Sequence, residues 1–177
     1  MDLSIIIFLL GGLFLGWSLG ANDAANVFGT AVGTRMVRFK TAAIVCSIFV
    51  ILGAIISGAG TTETLGKLGA INALPGAFAA CVAAGISVYL MTKVGLPVST
   101  TQAIVGAIVG WNLYTGSATN IKVLITILGT WVLCPVIAGL IAMGFFTLTK
   151  NFLLKRKLHI LRLDAYTRTA LLLAGAF

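Results

Sequence analysis

Two short polar clusters interrupt an otherwise apolar chain. The first is Asn22-Asp23-Ala24-Ala25-Asn26, directly after Gly20-Ala21, and the second is Gly95-Leu-Pro-Val-Ser-Thr-Thr-Gln102. An ionised carboxylate at the centre of a bilayer costs roughly 2.5–3.5 kcal/mol on insertion scales, so Asp23 must be paired, protonated or bound to a cation. On a helix, Asp23 and Asn26 are three residues apart and Asn22 and Asn26 four, which sets their side-chain oxygens on neighbouring faces. Carboxylate and amide oxygens are the ligands a hard cation takes. The same residues can instead form a structural cap, with Asn22 or Asp23 opening a new helix that runs to Gly33. The two roles are compatible, because a helix broken inside a membrane exposes backbone groups that themselves make ion sites.

The second cluster has the opposite electrostatic character. Pro97 turns the chain away from any preceding helix, and Ser99, Thr100 or Thr101 can cap a new one. The first turn of that helix offers free N–H donors and the positive end of its dipole. Beside them stand three hydroxyls and the Gln102 amide. That combination favours an oxyanion such as phosphate; the plainer alternative is an ordinary cap with surplus hydroxyls. A cation-like and an anion-like cluster in one membrane unit point to coupled transport.

The elements that must position these clusters are membrane helices. The chain has 177 residues, of which 59% are hydrophobic and 9% charged, with a mean hydropathy of +1.11; soluble domains carry about a quarter charged residues. A bilayer core of ~30 Å takes about twenty helical residues. Leu3 to Gly20, Thr41 to Gly60 and Ala73 to Thr92 each read as one span. Pro97 to Tyr114 is barely long enough and either spans or re-enters, and Ile121 to Thr149, which contains Pro135, reads as a tilted or kinked span. As one straight helix, Leu3 to Thr34 would reach ~48 Å, so a break is expected around Gly20 to Asp23, leaving Ala24 to Gly33 as a short helix or half of a re-entrant hairpin.

The fold class expected is therefore all-α: a polytopic membrane protein with broken or re-entrant helices, divided into a first transmembrane repeat over 1–149 with about five membrane segments, a basic loop over 150–168, and the start of another apolar run over 169–177. Counting basic residues places the N-terminus outside the cell membrane and the Lys150–Arg168 loop in the cytoplasm. Ten basic residues then lie inside, and Lys67 and Lys122 lie outside. With five crossings, a second copy of the unit would insert with opposite orientation, as in inverted-repeat transporters. The opening Met-Asp-Leu-Ser lacks the basic region of a cleaved leader, so the first apolar run is expected to stay in the mature protein.

Other features have plainer readings. A net charge of +8 could suggest nucleic acid, but six basic residues fall between Lys150 and Arg168 and the rest lie mainly at the ends of apolar runs, which describes topology. The basic tract could also bind anionic lipid headgroups. Cys46, Cys81 and Cys134 are isolated and read as small core hydrophobes. Gly12, Gly16 and Gly20, then Gly29 and Gly33, and Gly106 and Gly110, recur every four residues and are expected to let helices approach closely. The stretch Gly60 to Leu68 fails as a P-loop: it has one residue too many and Leu where Ser or Thr should bind magnesium. One His and no clustered carboxylates leave catalysis without support, so no enzyme is expected.

With Gly20-Ala21-Asn22-Asp23-Ala24-Ala25-Asn26 after the first span, and Pro97-Val98-Ser99-Thr100-Thr101 as a matching second element, the chain resembles the N-terminal repeat half of the inorganic phosphate transporter (PiT) family. The resemblance implies an inverted-repeat secondary transporter that brings inorganic phosphate in with sodium as coupling ion or, in other members, with protons or as a metal–phosphate complex. By matching motif positions, it implies sodium coordination by Asp23 and Asn26, helped by Asn22 and by Ser99 or Thr101. Phosphate would meet Thr100, Thr101 and Gln102, with Ser99 beside them. It implies a second inverted repeat as partner, of which 169–177 resembles the opening, and no organic cofactor. Membrane lipids are the other expected partner, and a homodimer is left open. Competing readings are an ion channel and a membrane assembly subunit with no transport of its own.

Overall fold

The structure, a computed structural model, describes residues 3–69, 74–155 and 160–176. It holds six helices: α1 (Leu3–Gly33), α2 (Phe39–Leu68), α3 (Leu74–Val94), α4 (Thr100–Thr115), α5 (Ile121–Lys155) and α6 (Ile160–Ala176). No strand occurs among the described residues. Ile5–Gly33, Phe39–Leu68, Leu74–Val94 and Ile121–Asn151 are long and apolar enough to cross a membrane. At 16 residues, α4 reaches only ~24 Å and falls short of a full span.

Two sequence expectations are corrected here. α1 is one continuous helix of 31 residues, unbroken at Gly20 to Asp23. The break is unnecessary because Asn22 and Asp23 satisfy their side chains laterally, on neighbouring helices, while their backbone stays in the helix. The short helix of the set is α4, in the run read as spanning or re-entering. The tract 150–168, read as a loop, is helical over 150–155 and 160–168, where α5 continues and α6 begins; residues 156–159 lie outside the described residues. α5 runs helically through Pro135, and the failed P-loop stretch lies within α2 up to Leu68.

Small residues decide which helices meet. α3 buries Gly76, Ala80, Ala84, Gly85 and Val88 and lies between α1 and α4. A Cβ on Gly85 would stand 2.7 Å from the Phe14 ring and 3.4 Å from the Leu15 Cα, and one on Gly76 would stand 2.9 Å from Trp111 Nε1. The close approaches are at Gly11, Gly69, Gly76, Gly85 and Gly175, whereas the ridges expected from Gly12, Gly16, Gly20, Gly29, Gly33, Gly106 and Gly110 meet nothing within 4 Å among the described residues. Regular spacing alone does not say which glycine faces a neighbour. Phe8 and Phe78 close one end of the α1–α3 contact edge to face at 5.8 Å between centroids.

Two further clusters fix the ends. Leu68, Ala80, Val105 and Ile108 pack with Val123, Ile127 and Trp131, and Asn120 N–H donates to the Leu68 carbonyl at 3.0 Å, so the ends of α2 and α4 and the start of α5 share one side. Asn112 is fully buried there and donates its amide to Thr119 Oγ1 at 3.0 Å. On the opposite side Phe28, Ala31, Val37 and Ala42 pack with Leu171 and Leu172 of α6. Arg168 Nη1 donates to the Met36 carbonyl at 2.9 Å. Arg35, Arg38, Lys40 and Arg168 therefore collect at one end of the bundle, and Lys67 and Lys122 at the other.

Candidate functional site

The site grows from the way α3 stops. Gly95 adopts φ 78°, its N–H donates to the Thr92 carbonyl at 3.0 Å and that of Leu96 donates to the Met91 carbonyl at 2.9 Å. This is a left-handed helix stop that a residue with a Cβ would strain. Pro97 keeps the chain extended, and Ser99, at φ −81° and ψ 115°, caps α4 by accepting a hydrogen bond from Gln102 N–H at 3.3 Å. The N–H groups of Thr100 and Thr101 carry no hydrogen bond among the described residues. The tip of the α3–α4 hairpin therefore presents a capped helix start with two donors left over.

That tip docks on α1 at the first polar cluster. Thr100 Oγ1 donates to Asp23 Oδ2 at 2.9 Å across 77 positions of sequence. Thr100 is buried, at 8% exposure, and Asp23 is half-buried. Asp23 lies about 15 Å along α1 from Gly33, so the hairpin tip stops well short of the end of the neighbouring helix. A re-entrant hairpin has this shape.

Asn22, 5% exposed, lies against α3 with its amide oxygen accepting from Thr92 Oγ1 at 2.9 Å and its nitrogen donating to Val98 O at 2.9 Å and to Asp23 Oδ1 at 3.2 Å. The Thr92 hydroxyl in turn reaches the Val88 carbonyl at 2.8 Å. Carboxylate, amide and carbonyl oxygen thus converge where α1 meets the hairpin tip.

Beside this contact lies a cavity of about 380 Å³, lined by Asp23, Asn26, Pro97, Val98, Ser99, Thr100 and Thr101. Small-ligand sites typically occupy roughly 300–1,000 Å³. The structure therefore brings the two clusters together. Asp23, Asn26, Ser99, Thr100 and Thr101 border one space, with Asn26, Ser99 and Thr101 exposed to it. Asn22 sits beneath rather than on the cavity wall, and the Gln102 side chain lies off the wall while its N–H serves the Ser99 cap. The Thr100 hydroxyl, expected on the phosphate, is directed to Asp23. Thr92 and the Val98 carbonyl were not anticipated from sequence. A lone Thr ending an apolar run and a main-chain oxygen carry no signal of their own.

Chemically the arrangement can do two things. Carboxylate and amide oxygens can share a hard cation, and the free N–H groups and hydroxyl at the start of α4 can meet an oxyanion. The anion would then lie beside Asp23. Two like charges ~4 Å apart repel by about 4 kcal/mol at an effective dielectric of 20, roughly a thousandfold in affinity. A cation between them removes that cost.

Comparison with known proteins gives a consistent picture. Residues 19–174 match the profile of the "Phosphate transporter family". A protein of Thermococcus kodakarensis named "Putative phosphate permease" is 34% identical over 167 residues, covering 89% of this chain and 41% of its own length. A Plasmodium falciparum "Sodium-dependent phosphate transporter" is 33% identical over 156 residues, covering 81% of this chain and 23% of its own. Among solved structures, one named "The sodium-dependent phosphate transporter" superposes with a TM-score of 0.77 at 32% identity, covering 86% of this chain and 40% of that one. The chain thus spans about two fifths of the length of the permease relatives it matches.

Proposed function

This chain belongs to the phosphate transporter family, and on that premise we propose that it forms one half of a symporter that carries inorganic phosphate across the cell membrane together with sodium. The other half is a second, inverted repeat. Asp23 and Asn26 hold the cation, helped by Asn22 and by Ser99 or Thr101. Phosphate meets the Thr100 and Thr101 N–H groups and the Thr101 hydroxyl at the start of α4, with Ser99 and Gln102 alongside. The site lies within the membrane, where the second repeat supplies the remaining donors.

The observation that carries this reading is the Thr100–Asp23 hydrogen bond, which joins the acidic cluster of α1 to the helix start of α4 beside one cavity. Repulsion between Asp23 and an incoming anion makes phosphate binding depend on the cation, and by linkage each ligand raises the other's affinity by the same factor. Movement of the two repeats around the site would then expose it to each side in turn. The sodium-dependent relatives favour sodium over protons as coupling ion.

The test is phosphate uptake into proteoliposomes by the complete two-repeat protein. Uptake should require an inward sodium gradient and saturate with phosphate. Asp23→Asn should abolish sodium-dependent uptake while the protein stays folded. Sodium-coupled uptake retained in that variant would remove Asp23 from the cation site, and unsaturable ion conduction would favour a channel.

A further inference from the structure

Resting on the reading that a second repeat completes the protein, we propose that Lys93 forms an ion pair inside the membrane with a carboxylate, Asp or Glu, on a membrane segment of that repeat. The argument starts from depth. Between Lys40 and Glu63, α2 carries no charged residue, a stretch of ~33 Å that matches a hydrocarbon core of ~30 Å. Ala42, near one end of that stretch, packs in one cluster with Phe28 and Ala31 of α1. The level of Phe28 and Ala31 therefore marks one face of the core. Asn22 lies six to nine residues from them along α1, ~9–14 Å deeper, and meets Thr92 Oγ1 at 2.9 Å. Lys93, the next residue on α3, is thus held well inside the hydrocarbon.

Among the described residues no carboxylate pairs with Lys93. The acids of the chain are Asp2, Asp23, Glu63 and Asp164. Glu63 pairs with Lys67 and Asp164 with Arg168, and Asp23 accepts from Thr100 and Asn22. Asp2, outside the described residues, stands about twenty positions before Asn22 in sequence. Nor does the ammonium reach back toward the near face of the core. Lys93 Nζ lies 5.3 Å from the centroid of the Tyr89 ring, whose residue is one turn toward the start of α3. A cation–π contact offsets only part of what a bare ammonium loses in hydrocarbon, so a counter-charge is required.

Two other anions fail on position. Lys93 is not on the wall of the Asp23 cavity, so a phosphate bound there leaves it unpaired. Lipid phosphates lie beyond the face of the core, from which the lysine turns away. What remains is protein. Trp17 and Tyr89, with rings 5.6 Å apart, and Lys93 form a flank on which Trp17 and Lys93 are exposed. The chain spans about two fifths of the length of its permease relatives, and the remainder supplies the segment that covers this flank. Its carboxylate would meet an ammonium already oriented by the Tyr89 ring. Lys93 is then a positioning residue: it ties the α3 arm of the hairpin to the second repeat without touching either transported ion.

The experiment uses the complete two-repeat protein and reads thermal unfolding in detergent beside phosphate uptake in proteoliposomes. Lys93→Met keeps the apolar stem and removes the charge. It should lower the unfolding temperature by a few degrees or more and cut maximal uptake about tenfold, because breaking one side of a buried pair leaves the other charge alone. Neutralising one Asp or Glu in the apolar segments of the second repeat, to Asn or Gln, should restore both in the Lys93→Met background. Wild-type unfolding and uptake in Lys93→Met, or no restoration by any of those single neutralisations, overturns the pair. A higher phosphate KM with unchanged unfolding gives Lys93 to the anion and overturns it as well. Should Lys93→Met fail to fold, the same double variants decide: one of them should recover folded protein, and recovery by none overturns the proposal. The symporter reading fails separately. A wild-type protein without sodium-coupled uptake sinks that reading and leaves the unfolding result for the pair standing.

Discussion

The α1–α3–α4 group and the pair α2 and α5 are made from the same apolar residues, yet they are packed in opposite ways. The apolar stretch of α3 is 28% buried and that of α1 17%, against 6% each for α2 and α5. Where α1, α3 and α4 meet, small or polar residues, Gly76, Ala80, Gly85, Ser18, Asn22 and Thr100, let the helices close on rings such as Phe14 and Trp111. Ile55, Ile56, Val132, Leu140 and Phe146, on α2 and α5, are large and exposed. Lipid tails are as apolar as leucine, so greasiness gives helices no reason to associate in a membrane; close packing and buried polar contacts do. The site is accordingly built in the part of the chain with small residues, and the bulky faces are those a bilayer tolerates.

That contrast can be broken by putting bulk into the tight group. Gly85→Leu should destabilise the fold by about 3 kcal/mol or more, because the added side chain meets Phe14 and the Leu15 backbone in a packed interface. Thermal unfolding in detergent would register it. The open ridge is the control: Gly106→Ala, with nothing within 4 Å of the new methyl, should cost nothing and stabilise the helix by up to about 1 kcal/mol. A loss at Gly106 equal to that at Gly85 would mean that the open ridge is packed in the working protein.

Within the site the comparison sharpens to two adjacent threonines. Thr100 is buried against Asp23, and Thr101 is exposed on the cavity wall. A hydrogen bond to a charged group contributes roughly 1.5–3 kcal/mol, so Thr100→Val should raise the sodium requirement ten- to a hundredfold. Thr101→Val removes one of several donors to the charged phosphate, with the neighbouring N–H groups remaining, and should raise the phosphate KM about tenfold, with the sodium requirement little changed. Uptake kinetics with the two ligands titrated independently would separate these effects. Equal effects of both variants on both ligands would argue against a division of labour between the two positions.

Much of this was legible from residue types. An acid flanked by amides inside an apolar run, and a Pro followed by hydroxyls, mark special positions whatever the fold, because hydrocarbon tolerates such groups only with partners. The helices themselves follow from the apolar runs. What the one-dimensional reading could not supply was who the partners are. A break in α1 was the local solution for Asn22 and Asp23; Thr92 and Thr100, some seventy residues on, provide a tertiary one. The same blindness misassigned the glycines. Gly11 and Gly85 lie in tight contacts and Gly12 does not, a difference that depends on helix rotation and not on spacing.

The central claim is that the α1 carboxylate and the α4 helix start form one site whose two ligands need each other. Equilibrium phosphate binding to the complete protein, measured across a sodium series and repeated as sodium binding across a phosphate series, tests it most directly. Sodium should tighten phosphate, phosphate should tighten sodium by the same factor, and Asp23→Asn should erase the coupling. A phosphate affinity indifferent to sodium in the wild-type protein would contradict it.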